Sequence, residues 1–282
     1  MSTDSIDLDA YCARISYAGS REPTLAMLRA LHWQHVSTIP FENLDVLRQR
    51  PIRLDVTSLQ QKLVRDRRGG YCFEHNSLLF AVLLALGYRV TPLLGRGLWR
   101  NRNRPDLPPA PRTHMLLRVD LPEGPFIADV GYGGAGYPYP LQLSPGLAQP
   151  SAHGTYRIVE HEHEYELQAE IGKEHGGVYR FSREPQSLID YEPLNWFTST
   201  SPQSNFTQHL IVSRLTEEGR YIVSDDEFTL YRANQPIMRR RLTSVGALAD
   251  VLAEYFSLPL GSGADEPIFS ALLARWASPQ VA

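Results

Sequence analysis

Cys72 stands between the glycine pair Gly69-Gly70 and the apolar run from Ser77 to Leu86, at the point where a loop turns into a helix. The first turn of a helix offers backbone N–H groups without intrahelical partners and the positive end of the helix dipole, and both favour thiolate over thiol. A cysteine so placed can act as a nucleophile, although buried cysteines are also common core residues. A thiol nucleophile needs a base for its proton, and that base needs an acceptor to orient it. Among nine histidines, His114 stands out on the strand-like THMLLRV, joined by the turn Asp120 to Pro125 to a second strand, PFIADV. A hairpin centred near Leu121 and Pro122 sets Asp129 opposite His114, with Cβ atoms about 4.5–5.5 Å apart, close enough for the carboxylate to accept an imidazole N–H. A slip of one residue would turn Asp129 to the other face. Asp129 also interrupts an apolar strand, where a half-buried carboxylate needs a partner; a hydrogen-bonded turn carboxylate is its other reading.

Other segments imitate functional motifs. Gly131-Tyr132-Gly133-Gly134-Ala135-Gly136 fits GxGxxG after a strand, but YPYPLQLSPG follows instead of a helix, so it reads as a flexible loop beside Asp129 rather than a dinucleotide site. His161-Glu162-His163-Glu164 could place two imidazoles on one strand face, yet no third ligand accompanies them, and no metal site is expected. His75, one turn beyond Cys72, is expected to point away from the front of the nucleophile, and no serine sits in a GxSxG elbow.

The elements that must carry these residues change character along the chain. Residues 1–87 read as helical: one helix opens at Pro23-Thr24 and ends before Pro40, a second is capped by Thr57 or Ser58 and stopped by Gly69-Gly70, and a third runs from Cys72 to Gly87 as a buried core helix. From Tyr88 to Arg183 short runs such as TYRIVE, EYELQA and VYRFSR predict an antiparallel sheet or small barrel, with Gly95 to Arg112 as a long loop. The last third mixes strands (LIVSRL, RYIVS, EFTLYR) with helices at about Val245–Phe256 and Pro267–Trp276.

At 282 residues and 43% apolar content the chain can bury a sizeable core. Its longest strongly apolar stretch, Leu78 to Leu86, is about half of what crosses a bilayer, and the acidic start MSTDSIDLDA lacks a signal pattern. Two cysteines, Cys12 and Cys72, make no disulfide framework and suit a reducing cytoplasm. A net charge of −3 gives no general attraction to nucleic acid or anionic membrane, and neither is expected as a partner. The basic clusters at Arg65–Arg68, Arg96–Arg104 and Arg239–Arg241 read as solvated faces.

IPFENLDV (Ile39 to Val46), RGGYCFEHN (Arg68 to Asn76), THMLLRV, ADVGYGG (Ala128 to Gly134) and NWFTSTSPQSNF (Asn195 to Phe206) follow one another in the order and spacing of a known family. The chain resembles the arylamine N-acetyltransferases. The resemblance implies an α+β fold with a helical domain over 1–87 carrying the nucleophile, a central antiparallel β-barrel domain over 88–190 carrying His and Asp, and an α/β lid domain over 191–282. It implies a Cys-His-Asp site like that of cysteine proteases, falling on Cys72, His114 and Asp129. It also implies acetyl-CoA as co-substrate with no permanently bound cofactor, and acetyl transfer through an acetyl-cysteine to arylamines, arylhydroxylamines or hydrazines in ping-pong order. Phe41, Tyr132 and Phe206 are then expected to wall the acceptor pocket, and Thr113, Gly131 and Gly133 to approach CoA. Tyr132 departs from the phenylalanine more usual in the family. A Cys-His-Asp hydrolase, an amide synthase with another acyl donor, and a non-catalytic acyl-CoA-binding protein are the alternatives.

Overall fold

The computed structural model describes residues 5–102, 104, 106–232, 237–260 and 266–277; the first four residues of the acidic start lie outside them. The first part holds α1 (Leu8–Arg14), α2 (Leu25–Thr38), the short strand β1 (Phe41–Glu42), α3 (Leu44–Leu47), α4 (Val56–Leu59) running into a π-helical turn over Gln60–Arg65, and α5 (Cys72–Ala85). There follow β2 (Arg89–Gly97), β3 (His114–Leu121), β4 (Gly124–Ala128), β5 (Leu141–Gln142), β6 (Ala148–Ser151), β7 (Gly154–Glu160), β8 (Glu164–Ile171) and β9 (Glu174–Ser182). The last described elements are α6 (Tyr191–Thr200), α7 (Asn205–Gln208), β10 (Ile211–Thr216), β11 (Gly219–Ser224), β12 (Glu227–Tyr231), β13 (Met238–Arg241), α8 (Val245–Phe256) and α9 (Glu266–Ala277).

Helix α2 starts where its cap residue predicts, with the Thr24 hydroxyl accepting the Met27 N–H at 3.3 Å. The second helix begins earlier than expected. Its cap is Asp55 rather than Thr57 or Ser58, and the Asp55 carboxylate accepts the Ser58 N–H at 2.8 Å, so those hydroxyl residues fall inside the first turn. Helix α5 is buried over most of its surface, and Glu74 reaches back to accept the Tyr71 N–H at 3.0 Å, fixing the turn that begins with Cys72.

Strands β2 to β9 form one antiparallel sheet in the order β5-β4-β3-β2-β9-β8-β7-β6. It curls into a nearly closed barrel around Leu116, Ile127, Tyr137, Tyr156, Tyr179 and Phe181. At the seam between β5 and β6 the Gln149 amide bonds both the N–H (2.8 Å) and the carbonyl (3.1 Å) of Gln142, standing in for a strand partner. The irregular stretch begins later than Gly95, because β2 continues to Gly97 between β3 and β9, and Trp99–Asn101 then makes a 3-10 turn.

The hairpin register differs from the expected one by two residues. Its turn is Pro122-Glu123, Leu121 faces Gly124, Leu117 faces Ala128, and Asp129 lies just past the end of β4 rather than directly opposite His114. A two-residue displacement keeps every side chain on its face, so Asp129 still lies on the side of His114.

A second antiparallel sheet runs β1-β10-β11-β12-β13, with β1 contributed from the helical part of the chain. Val212, Val223 and Phe228 on one face pack against Leu248 and Phe256 of α8 and Phe269 of α9. Among the described residues no helix is long and apolar enough to cross a membrane.

Candidate active site

Cys72 is the first residue of α5, and its thiol donates to the Thr113 carbonyl at 3.5 Å, immediately before His114. His114 Nε2 lies 2.6 Å from Asp129 Oδ2, so Nδ1 is the nitrogen left to meet the thiol. All three residues are buried. Burial alone would push His114 down, but the Asp129 charge and hydrogen bond, with a further contribution from Cys72, raise it to about 10. Asp129, also penalised by burial, is held below its ordinary value by His114, Asn76 and the Gly131 N–H. The imidazole therefore carries its proton at neutral pH, beside a cysteine at a helix N-terminus.

Asp129 is held by more than His114. Its Oδ1 accepts from Asn76 Nδ2 at 2.8 Å and from the Gly131 N–H at 2.9 Å. Asn76 also donates to the Met115 carbonyl at 2.7 Å and accepts the Val130 N–H at 3.1 Å, tying α5 to β3 and to the segment just after β4. The Asp129 N–H donates to His32 Nε2 at 3.3 Å, and His32 Nδ1 donates to the Pro138 carbonyl at 3.0 Å. Neither Asn76 nor His32 was singled out from the sequence. Asn76 carries a readable signal, since it lies four residues after Cys72 on the same helix face; His32 joins the site only through tertiary packing.

His75 is turned away from the thiol. Its Nε2 donates to the Pro40 carbonyl at 3.2 Å and its Nδ1 accepts from His35 Nε2 at 2.8 Å, which leaves His35 Nδ1 to accept the Tyr11 hydroxyl at 2.9 Å. Arg68, read as part of a solvated basic face, is instead largely buried, pairing with Glu42 at 2.9 Å and Asp45 at 2.8 Å, while Lys62 joins Asp45 to Glu74. This network secures the loop leading into Cys72.

The expected acceptor residues gather nearby. The Tyr132 ring stands edge-on to His114 with centroids 4.9 Å apart, and its hydroxyl donates to the Val178 carbonyl. Phe41 lies 6.0 Å from Phe206, which meets Tyr71 at 5.8 Å. Phe41, Asp129, Tyr132 and Gly133 line one recess. Gly131 is pressed against the nucleophile, since a Cβ there would lie 2.8 Å from Cys72 Cα, and Gly133, at φ +80°, packs on the Phe41 ring. The glycine segment makes a turn closed by the Gly136 N–H on the Gly133 carbonyl and continues to β5, with no helix after it.

Comparisons with known proteins give this geometry a family. Residues 24–264 match the family described as N-acetyltransferase. The arylamine N-acetyltransferase of Escherichia coli (strain K12) is 42% identical, over 89% of this chain and 88% of that protein. The chain belongs to the arylamine N-acetyltransferase family. The solved arylamine N-acetyltransferase of Mycobacterium tuberculosis superposes with a TM-score of 0.90 at 38% identity, covering 95% of this chain and 100% of that one. The Mycobacterium marinum arylamine N-acetyltransferase in complex with CoA gives 0.89 at 34% identity, covering 95% and 99%. As an arylamine N-acetyltransferase the protein is an acyltransferase, and the α+β architecture with its eight-stranded barrel is that of its relatives.

Proposed function

We propose that the protein transfers acetyl groups from acetyl-CoA to arylamines, arylhydroxylamines and hydrazines through an acetyl-Cys72 intermediate. The observation that carries this reading is the buried Cys72–His114–Asp129 arrangement at the head of α5. The CoA complex of the M. marinum relative supports the choice of donor.

In the first half-reaction His114 takes the Cys72 thiol proton, the thiolate attacks the thioester carbonyl, the acetyl–CoA sulfur bond breaks, and His114 passes that proton to the departing CoA sulfur, leaving neutral His114 beside acetyl-Cys72. Exchange between thioesters is nearly balanced in energy, so the acetyl-enzyme forms readily and stays reactive. In the second, the amine nitrogen attacks, neutral His114 takes its proton, and the Cys72 sulfur leaves. Asp129 orients the ring and stabilises the imidazolium. Phe41, Tyr132 and Phe206 wall the acceptor site. Thr113, Gly131 and Gly133 approach CoA, Gly131 through its carbonyl or Cα, because its N–H is committed to Asp129. Residues 1–87, 88–190 and 191–282 act as nucleophile-bearing, base-bearing and covering units, in a cytoplasmic enzyme that needs no resident cofactor.

Initial rates measured by varying acetyl-CoA at several fixed aniline concentrations should give parallel double-reciprocal lines. Mass spectrometry without amine should find one acetyl group on Cys72. Intersecting lines and an unmodified Cys72 would replace this reading with direct transfer in a ternary complex; rapid thioester hydrolysis without amine transfer would replace it with a hydrolase.

A further inference from the structure

Arg220 belongs to β11 of the five-stranded sheet and is 2% exposed, yet its guanidinium ends against the glycine loop that follows Asp129. One terminal nitrogen donates to the Gly134 carbonyl at 2.5 Å. The other donates to the Gly136 carbonyl at 2.9 Å and the Tyr156 hydroxyl at 3.1 Å, with a longer contact to the His153 carbonyl at 3.4 Å. The Tyr156 hydroxyl donates to the same Gly136 carbonyl at 2.9 Å. Arg220 Nε is buried without an acceptor, and all the partners of the guanidinium among the described residues are neutral.

A guanidinium buried without a counter-charge is expensive, and an apolar side chain of similar volume would fill the space more cheaply. What the apolar side chain lacks is a planar fork able to hold two carbonyls of one loop at once. The loop so held bears directly on the trio. It places the Gly131 N–H on Asp129 Oδ1 at 2.9 Å and packs the Gly131 backbone on Cys72.

We propose that Arg220 is a positioning residue for the nucleophile site: by clamping Gly134 and Gly136 it keeps the Gly131–Gly136 loop seated, and through that loop it sets Asp129 and His114 against Cys72. The second sheet thus acts on the chemistry through one side chain rather than only covering it. The inference rests on the reading of Cys72, His114 and Asp129 as the catalytic trio.

The test is the pH dependence of Cys72 alkylation by iodoacetamide in the full chain, together with kcat and KM for acetyl-CoA. In folded Arg220→Met, judged by circular dichroism, alkylation at neutral pH should slow at least tenfold, its pH profile should shift, and kcat should fall more than KM rises. Arg220→Lys keeps the charge but reaches one carbonyl at a time, and should fall between. Tyr156→Phe should move the same way by less, and it decides the matter together with Arg220→Lys if Arg220→Met does not fold. Variants that merely melt at lower temperature while keeping the wild-type profile and kcat would overturn the positioning role. Wild-type protein whose Cys72 is not selectively alkylated would overturn the trio itself, a separate failure.

Discussion

Cys72 and Cys12 are each 4% exposed, so access alone predicts equal labelling by a thiol reagent. Their surroundings differ. Cys12 is pushed up chiefly by burial, whereas Cys72 begins a helix and faces a protonated imidazole. Iodoacetamide at neutral pH should therefore modify Cys72 first, and acetyl-CoA should protect it; equal labelling by peptide mass spectrometry would contradict an activated thiol. Asp129→Asn should fold, because Asn76 and the Gly131 N–H still have an oxygen to bond, but it loses the charge that raises His114. Activity should fall by about 10⁴-fold, as in the general triad. A folded Asp129→Asn enzyme with near-normal turnover would remove Asp129 from the mechanism. That Cys72, His114 and Asp129 lie together was legible because a helix-start thiol and a hairpin that brings a histidine and a carboxylate to one face are local patterns, although each residue alone had another reading. Asn76 was signalled only by its four-residue spacing from Cys72 on one helix face, and His32 not at all, since a distant histidine acquires meaning only when α2, α5 and the hairpin meet.

Two neighbouring elements, α2 and α5, are joined by a chain of neutral groups running from Tyr11 through His35 and His75 to the Pro40 carbonyl. Burial lowers His75 and His32 to about 4 and His35 well below its ordinary value. Unfolded histidines titrate near 6.5, so as pH falls below that value the unfolded chain takes up protons that the folded one refuses. This stability is fully present above about pH 6.5 and is lost as pH falls towards 4. His114 has the opposite sign: raised to about 10, it contributes below about pH 6.5 and that contribution is lost as pH rises through 10. Calorimetric melting from pH 4 to 10 should accordingly peak near pH 6 to 7, and His114→Asn should flatten the alkaline limb while leaving the acid limb in place. An unchanged alkaline limb in that variant would show that His114 is not held charged. The same elements show where sequence patterns stop informing. Thr24 marks the start of α2 because a cap is local chemistry, while the hairpin register depended on whether a two-residue turn fell at Pro122-Glu123 or one residue earlier, which local chemistry leaves open. β1 was unreadable, since two residues carry no periodicity and their partners are Gly70, through a single bridge, and β10, about 170 positions later.

At the scale of the molecule, the expectation of a lid meets a sheet that is stitched to what it covers. β10 pairs with β1, and the Asn43 amide, next to β1, donates to the Phe206 carbonyl at 2.8 Å and the His209 carbonyl at 2.7 Å while accepting the Ile211 N–H at 2.8 Å. Helix α9 holds α7 in turn, through Trp276 Nε1 and Arg275 on the Gln208 carbonyl, two residues from Phe206. Swinging the second sheet as a body would either break these bonds or, with β1 moving along, carry Phe41, an expected acceptor wall, away from the site. Entry should instead proceed by local movement of α7 and of the loop after Gly97, where Arg100 meets Asn205. Native-state hydrogen exchange should find β1 and β10 amides opening only with global unfolding, and acetyl-CoA should add protection mainly at those two segments and the Gly131–Gly136 loop. Trp276→Phe keeps the ring in the core but removes the donor to Gln208. It should loosen α7, raise acetyl-CoA hydrolysis without an amine and lower amine transfer, because a less enclosed acetyl-cysteine is exposed to water. If β10 amides exchange rapidly at full stability, the second sheet opens as a hinged body; if Trp276→Phe leaves hydrolysis at the wild-type rate, α9 has no part in keeping water out.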